Sequence, residues 1–160
     1  MKITGTVRID RRTKNLTKRI QPGEIALIVH EDIDAVAAED LVEQKIRAVL
    51  NCCASISGKY VNRGPYALLR AGITLIDNIG DGILDHLNEG DVIDIIDGKV
   101  FLGGREIASG TEQTTSTLDQ QIQIARENME KEIESFAENT LGYLKKEKYL
   151  LSRELRIGRL

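Results

Sequence analysis

The sequence predicts an α/β domain with a partly parallel sheet and a β-hairpin, followed by one long C-terminal helix. Three observations predict it. Short helical segments alternate with apolar strands as far as Ile76. Asp97-Gly98 then lies between two apolar runs, the strongest short-range hairpin signal. From Leu118 onward, apolar residues recur at helical spacing. The expected division is an α/β unit over 1–115 and an amphipathic helix over 116–157.

Taken in order, Ile3 to Ile9 alternates as a half-buried strand, and Gln21-Pro22-Gly23 turns the chain into the apolar run Ile25 to Val29, which reads as a buried strand. Ala35 to Ile46 places Val36, Leu41, Val42 and Ile46 near helical spacing, and Arg47 to Cys53 is a further short strand. The loop Ala54 to Gly64 is polar and glycine-bearing. It ends at Pro65, where proline suits a first helical turn, so a helix is expected from Pro65 to Ala71 with Gly72 closing it. Ile73 to Ile76 forms the third buried strand, before a loop that begins at Asp77-Asn78. Val92 to Ile96 and Lys99 to Leu102 make the hairpin. Gly103-Gly104 turns into a short edge strand from Arg105, and Thr111 to Thr117 reads as polar linker. Ser116 or Thr117 is the expected N-cap of a helix with an apolar stripe at Leu118, Ile122, Ala125, Met129, Ile133, Phe136 and Leu144. Carried to Leu155 it would be roughly 55–60 Å long, well beyond the domain it leaves. Two readings stand side by side: the first half packs on its own domain, or the second half, with Leu144, Leu150 and Leu151, pairs with another subunit or a further domain.

Composition narrows the function classes. The chain has 160 residues, 41% hydrophobic and 29% charged, with a net charge of −3, as a globular protein with one core would have. No run of eighteen apolar residues could span a bilayer, and the charged start lacks the apolar region of a secretory signal, so a cytoplasmic location is expected. Cys52 and Cys53 are adjacent on a strand and point to opposite faces, which suits free thiols in a reducing compartment rather than a metal pair. Six cations, Arg8, Arg11, Arg12, Lys14, Lys18 and Arg19, crowd residues 8–19. No aromatic side chain interleaves with them, so nucleic acid is not an expected partner.

Ligands of open α/β sheets bind beyond the carboxyl ends of the strands, which here carry His30-Glu31-Asp32, the Ala54 to Gly64 loop and Asp77-Asn78. Within that loop Ser55, Ser57, Gly58, Lys59, Asn62, Arg63 and Gly64 precede a helix start, where free backbone N–H groups favour a phosphate or carboxylate. The alternative is a loop of turn formers that only reverses the chain. Arg11, Arg12, Lys14, His30, Asp32 and Asp77 are accessory candidates, with a solvated charged surface as the competing account. No Walker or dinucleotide-binding glycine motif occurs. No catalytic set and no metal site is expected, and no cofactor is assigned to this chain.

Two resemblances follow from these residues. The order of elements from Gln21 to Leu102, with Ala71-Gly72-Ile73, Glu89-Gly90-Asp91-Val92 and Asp97-Gly98-Lys99-Val100, resembles the swivelling β/β/α domain of phosphohistidine-carrying proteins. The carrier histidine after the loop serine is missing: Ile56 follows Ser55 and Gly58 follows Ser57. Over nearly the whole chain the sequence is similar to the amino-terminal region of the SteA-like family of bacterial cytokinetic ring proteins, which are related to thiamin pyrophosphokinase. The matching stretches include Val7 to Leu16, Pro22 to Ala26, His30 to Asp34, Asn51, Ser55 to Tyr60, Asn62 to Pro65, Ala71 to Ile73 and Glu138 to Leu141. The resemblance implies a non-catalytic ligand-binding or coupling domain in cell division. Any ATP or thiamin site would lie in a domain absent from this chain, and the partners would be a second copy, that C-terminal domain or another cell-division protein. Two alternatives stay open: an accessory part of a thiamin-pyrophosphokinase-like phosphotransferase, and a structural dimer built on the helix.

Overall fold

The computed structural model describes residues 1–158, with side chains described as far as Arg153. The strands are β1 (Lys2–Asp10), β2 (Ile25–Ile28), β3 (Ala48–Asn51), β4 (Thr74–Asp77), β5 (Val92–Ile96), β6 (Lys99–Leu102), β7 (Arg105–Ser109) and β8 (Thr111–Glu112). The helices are α1 (Thr13–Leu16), α2 (Ala35–Glu43), α3 (Gly64–Arg70) and α4 (Thr115–Gly158), and a 3-10 turn covers Asp81–Asp85. All eight strands form one sheet in the order β7-β6-β5-β1-β2-β3-β4-β8. β1 to β4 run parallel, while β1 also pairs antiparallel with β5 through its first half.

Side-chain alternation on the parallel strands separates two cores. Ile25, Leu27, Leu50 and Ile76 point to one face and pack with Ile93, Ile95 and Val100 of the antiparallel strands. Ala26, Ile28, Val49 and Leu75 point to the other and meet Leu16, Ala38, Leu41 and Leu68 from the helices. The result is a β/β/α layering, and burial on both faces explains why β2 and the first three residues of β3 read as apolar runs.

The two outermost strands of the sheet, β7 and β8, are consecutive in the chain with only Gly110 between them. β8 pairs with β4, and the Gly110 N–H donates to the Gly98 carbonyl at 2.8 Å. The antiparallel half therefore folds back over the parallel half and nearly closes the sheet around the first core. Gly110 is required there by space: a Cβ would lie 2.3 Å from the Asp77 carbonyl oxygen.

The structure corrects several sequence expectations. The predicted linker Thr111 to Thr117 contains β8 and the start of α4. The cap of α4 is Thr114, whose Oγ1 accepts from the Thr117 N–H at 3.2 Å while its carbonyl accepts from Leu118 at 3.0 Å. α2 stops at Glu43 rather than Ile46, because Lys45 turns left-handed at φ 54° and Ile46 enters the core as the chain approaches β3. α1 and the 3-10 turn were not expected, each being too short to show a period.

Two of the six early cations hold the body together. Arg8 forks onto Glu24 at 3.0–3.1 Å. Arg19 reaches Asp10 at 2.8 Å, Glu89 at 2.7 Å and the Ile9 carbonyl, fastening the segment after α1 to the end of β1 and the turn before β5. The Arg12 backbone N–H, and after it the Arg19 guanidinium, hold Asp10 below its ordinary value of 3.8, while the Arg19 guanidinium, and after it the Ile9 N–H, hold Glu89 below its ordinary 4.5.

Two outcomes are expected. Gly110→Ala should cost about 2–3 kcal/mol in urea unfolding, as overpacking against backbone does, whereas Gly82→Ala, with nothing within 4 Å, should leave the midpoint nearly unchanged. Depressed carboxylates contribute stability above their ordinary values and lose it as pH falls through the lower folded values. The stability gap between the parent and Arg19→Gln should thus be full at neutral pH and close as pH drops below the 3.8–4.5 range, measured by denaturant unfolding against pH.

Candidate functional site

The carboxyl ends of β1 to β4 present two neighbouring regions, a cationic cleft and a self-satisfied polar loop. The cleft, of about 500 Å³, lies above the ends of β1 and β2. Arg11, Arg12, Thr13 and Lys14 form one wall, and Asp34, Val36, Ala37 and Asp40 from the start of α2 form the other. Val29 and His30 line it from the end of β2.

Local chemistry builds each wall. Asp10 Oδ1 accepts from the Arg12 N–H at 2.9 Å, an Asx-type turn that ends β1 and sets Arg12 as the residue before α1. Asp34 caps α2 by accepting from the Ala37 N–H at 2.8 Å. His30 is held twice. Its backbone exchanges hydrogen bonds with the Asn51 side chain, at 3.1 Å to Oδ1 and 2.8 Å from Nδ2, and its Nδ1 lies 2.7 Å from the buried hydroxyl of Thr13. That pairing leaves Nε2 to meet a ligand. Arg11, Arg12 and Lys14 are in no ion pair among the described residues, in contrast to Arg8 and Arg19 from the same segment. The cleft thus offers three cations without ion-pair partners among the described residues and one imidazole on one side, the carboxylates of Asp34 and Asp40 on the other, and apolar side chains between them, a lining that suits an anionic ligand with an apolar part held against the cationic wall.

The loop from Ser55 to Gly64 is organised differently. Ser55 is fully buried; its N–H and Oγ donate to the two oxygens of Asp77 at 3.0 and 2.5 Å, and its Oγ accepts from Asn51 at 3.0 Å. Ser57 donates twice to Asp32, at 2.8 and 2.7 Å, and Asp32 takes a left-handed φ of 58° to receive it. Asn62 donates to the Ile33 and Ser55 carbonyls and accepts from the Gly64 N–H at 3.1 Å. Gly64 lies so close to the backbone of Ile33 and Asp34 that a Cβ would be 2.2 Å from the Ile33 carbonyl oxygen. Lys59 pairs with Glu31 at 2.9 Å on the surface. The structure brings the loop residues together, but the side chains of Ser55, Ser57, Asn62 and Lys59 are taken up mainly by Asp77, Asp32, the Ile33 carbonyl and Glu31, and the first N–H of α3 is already taken; Arg63, exposed just before α3, is in no ion pair among the described residues.

The same loop seats the long helix. Ile56 packs with Leu118 and Ile122 and with Val61, Tyr66 and Leu69 around them. Asn128 donates to the Gly58 carbonyl at 2.8 Å, and Tyr66 donates to Asp119 at 2.6 Å. Gln113 Nε2 donates to Asp77 at 3.0 Å while its Oε1 accepts from Thr117 at 2.5 Å, so the helix start is tied to the buried carboxylate. Burial pushes Asp77 up from its ordinary value, opposed by the hydrogen bonds from Ser55 and Gln113. Asp77 and Asp32 are therefore fasteners of the loop, whereas Arg11, Arg12, Lys14 and His30 meet at the cleft. Sequence spacing could not separate these two groups, since nothing in it says which polar side chains bond to each other.

Cys52 is buried, and its thiol is pushed up to about 11 by desolvation. Cys53 is raised for the same reason, so neither supplies a thiolate at neutral pH. Among the described residues no three His, Cys, Asp or Glu side chains converge as metal ligands would, and no helix is long and apolar enough to cross a membrane.

Ser55→Ala should cost about 2–3 kcal/mol in denaturant unfolding, because it removes a donor to a buried carboxylate and leaves the Asn51 amide short of an acceptor.

No family model matches the chain, and comparison with curated protein sequences finds no match. Among solved structures, the chain is similar to one described as a potential metal-dependent hydrolase with cyclase activity, at 20% identity and a TM-score of 0.45. That match covers 69% of this chain and 63% of the other, so the chain spans less than two thirds of that structure. It is also similar to 3-isopropylmalate dehydratase from Methanocaldococcus jannaschii, at 13% identity and a TM-score of 0.43, covering 86% of this chain and 99% of that one. These are low-identity similarities to two proteins of unrelated description.

Proposed function

We propose that this chain is a non-catalytic ligand-binding and coupling domain of a SteA-like bacterial cell-division protein, working in the cytoplasm. Its ligand is a small phosphorylated or carboxylated molecule held in the cleft above β1 and β2. The observation that carries this reading is the set Arg11, Arg12 and Lys14, three cations without ion-pair partners among the described residues, lining one cleft with His30. Clustered cations draw anions into a cleft, and guanidinium groups match phosphate and carboxylate oxygens with paired donors. Two stretches that carry the family resemblance, Val7 to Leu16 and His30 to Asp34, supply much of the lining. The non-catalytic reading rests on chemistry: both thiols are raised, the buried serine is committed to a carboxylate, and the one histidine at the cleft has a threonine hydroxyl rather than an acid as its hydrogen-bond partner.

Thermal-shift titration with phosphate, nucleotides, thiamin and thiamin phosphates tests this. A ligand at a hundred times its dissociation constant adds about 2.7 kcal/mol of stability. Arg12→Ala/Lys14→Ala should abolish the shift, and Lys59→Ala/Arg63→Ala should retain it. The opposite pattern would return the site to the Ser55 to Gly64 loop, and no shift with any of these compounds would refute ligand binding of this class.

A further inference from the structure

The body holds α4 only by its first part. Leu118, Ile122 and Ala125 are buried, Asn128 bonds to Gly58, and the Val61 N–H meets Met129 Sδ at 3.4 Å. From Arg126 to Arg153 every residue of the helix is exposed. Yet the apolar face does not stop where the body stops. At about 100° per residue, Met129, Ile133, Phe136, Leu144 and Leu151 prolong the face that Leu118, Ile122 and Ala125 bury. Ile133 is 64% and Phe136 73% exposed, an arrangement that free solvent does not favour.

The charges beside this face are divided along its length. Residues 130–138 carry four glutamates and one lysine, net −3. Residues 145–153 carry Lys145, Lys146, Lys148 and Arg153 against Glu147, net +3. The two blocks lie on either side of Thr140. A parallel partner with the same sequence would set glutamates against glutamates and lysines against lysines, whereas an antiparallel one sets each block against its opposite.

We propose that the face is covered by the same face of a second copy of this chain, running antiparallel with its two-fold axis at Thr140. In that register Met129 of one arm lies opposite Leu151 of the other, and Phe136 lies opposite Leu144. Ile133 enters the hole formed by Leu144, Glu147 and Leu151, in the manner of coiled-coil packing. Glu130 and Glu132 flank Lys148 and Lys146 of the second copy, and the symmetry repeats both contacts. The overlap from 129 to 151 is about 33 Å long, roughly three heptads. Two bodies would then sit at opposite ends of a rod and hold their clefts apart. The inference rests on the coupling role proposed for this chain, assigned here to α4, and is independent of the cleft, so a monomer that still gives the anion shift would sink the pairing alone.

Sedimentation of the whole 160-residue chain tests it, with three variants: Glu130→Lys/Glu132→Lys, Lys146→Glu/Lys148→Glu, and all four changes together. The parent should be a dimer at micromolar concentration. Each double variant should dissociate roughly tenfold or more readily, through like charges facing across the pair, and the fourfold variant should recover the parent affinity. Because all four positions are solvent-exposed, unchanged helix content by circular dichroism and an unchanged unfolding midpoint of the body will show that the arm and body are intact. A monomeric parent would mean that another protein or a further segment covers the face. That result, double variants as tight as the parent, or absence of rescue would each overturn the antiparallel pairing.

Discussion

The buried carboxylate of Asp77 is the point on which the arrangement turns. It ends β4, receives the backbone and hydroxyl of Ser55 from the loop after β3, and receives Gln113 from the strap that leads into α4. Burying a carboxylate is expensive unless its oxygens are satisfied, and here three donors meet them. The same donors fix the loop, the loop forms the seat for Leu118 and Ile122, and the seat fixes the direction in which α4 leaves. The carbonyl of the same residue lies where a side chain at position 110 would be, so closure of the sheet and placement of the helix share one anchor.

Much of this was legible in the residues. The apolar runs at Ile25 and Val49, the Asp97-Gly98 turn and the periodicity after Leu118 each report one local preference, and each became the expected element. What could not be read was the pairing of distant parts. β8 is two residues of unremarkable composition, and only the return of β7 past Gly98 makes them a strand. α1 is a single turn whose Leu16 is buried by contacts with the helical layer rather than by a period of its own.

The candidate site divides in the same way. A serine, asparagine and glycine loop ahead of a proline has the composition of an anion cradle and equally that of a loop that bonds to itself. The difference lies in whether Asp32 and Asp77 stand within reach, which depends on the neighbouring strands. Arg11, Arg12 and Lys14 looked like an ordinary solvated run because their sequence neighbours Arg8 and Arg19 are of the same type. Glu24, Asp10 and Glu89 bind those two, and the other three are in no ion pair among the described residues, an assignment made by tertiary geometry.

β1 belongs to both halves of the sheet, pairing with β5 as far as Thr6 and with β2 from Val7. β1 is thus a central strand synthesised before both of its partners, and one of its two edges must wait for residues 92–96 to be made. Long-range pairing of this kind slows folding, and until β5 arrives the first half of β1 is an uncovered edge. Once Gln113 has reached Asp77 and Ala125 has reached the body, no described residue further along α4 is buried. During synthesis the body can therefore finish while the remainder of α4 is still emerging, which makes the arm the part of the molecule most easily lengthened, exchanged or fused without disturbing what it carries.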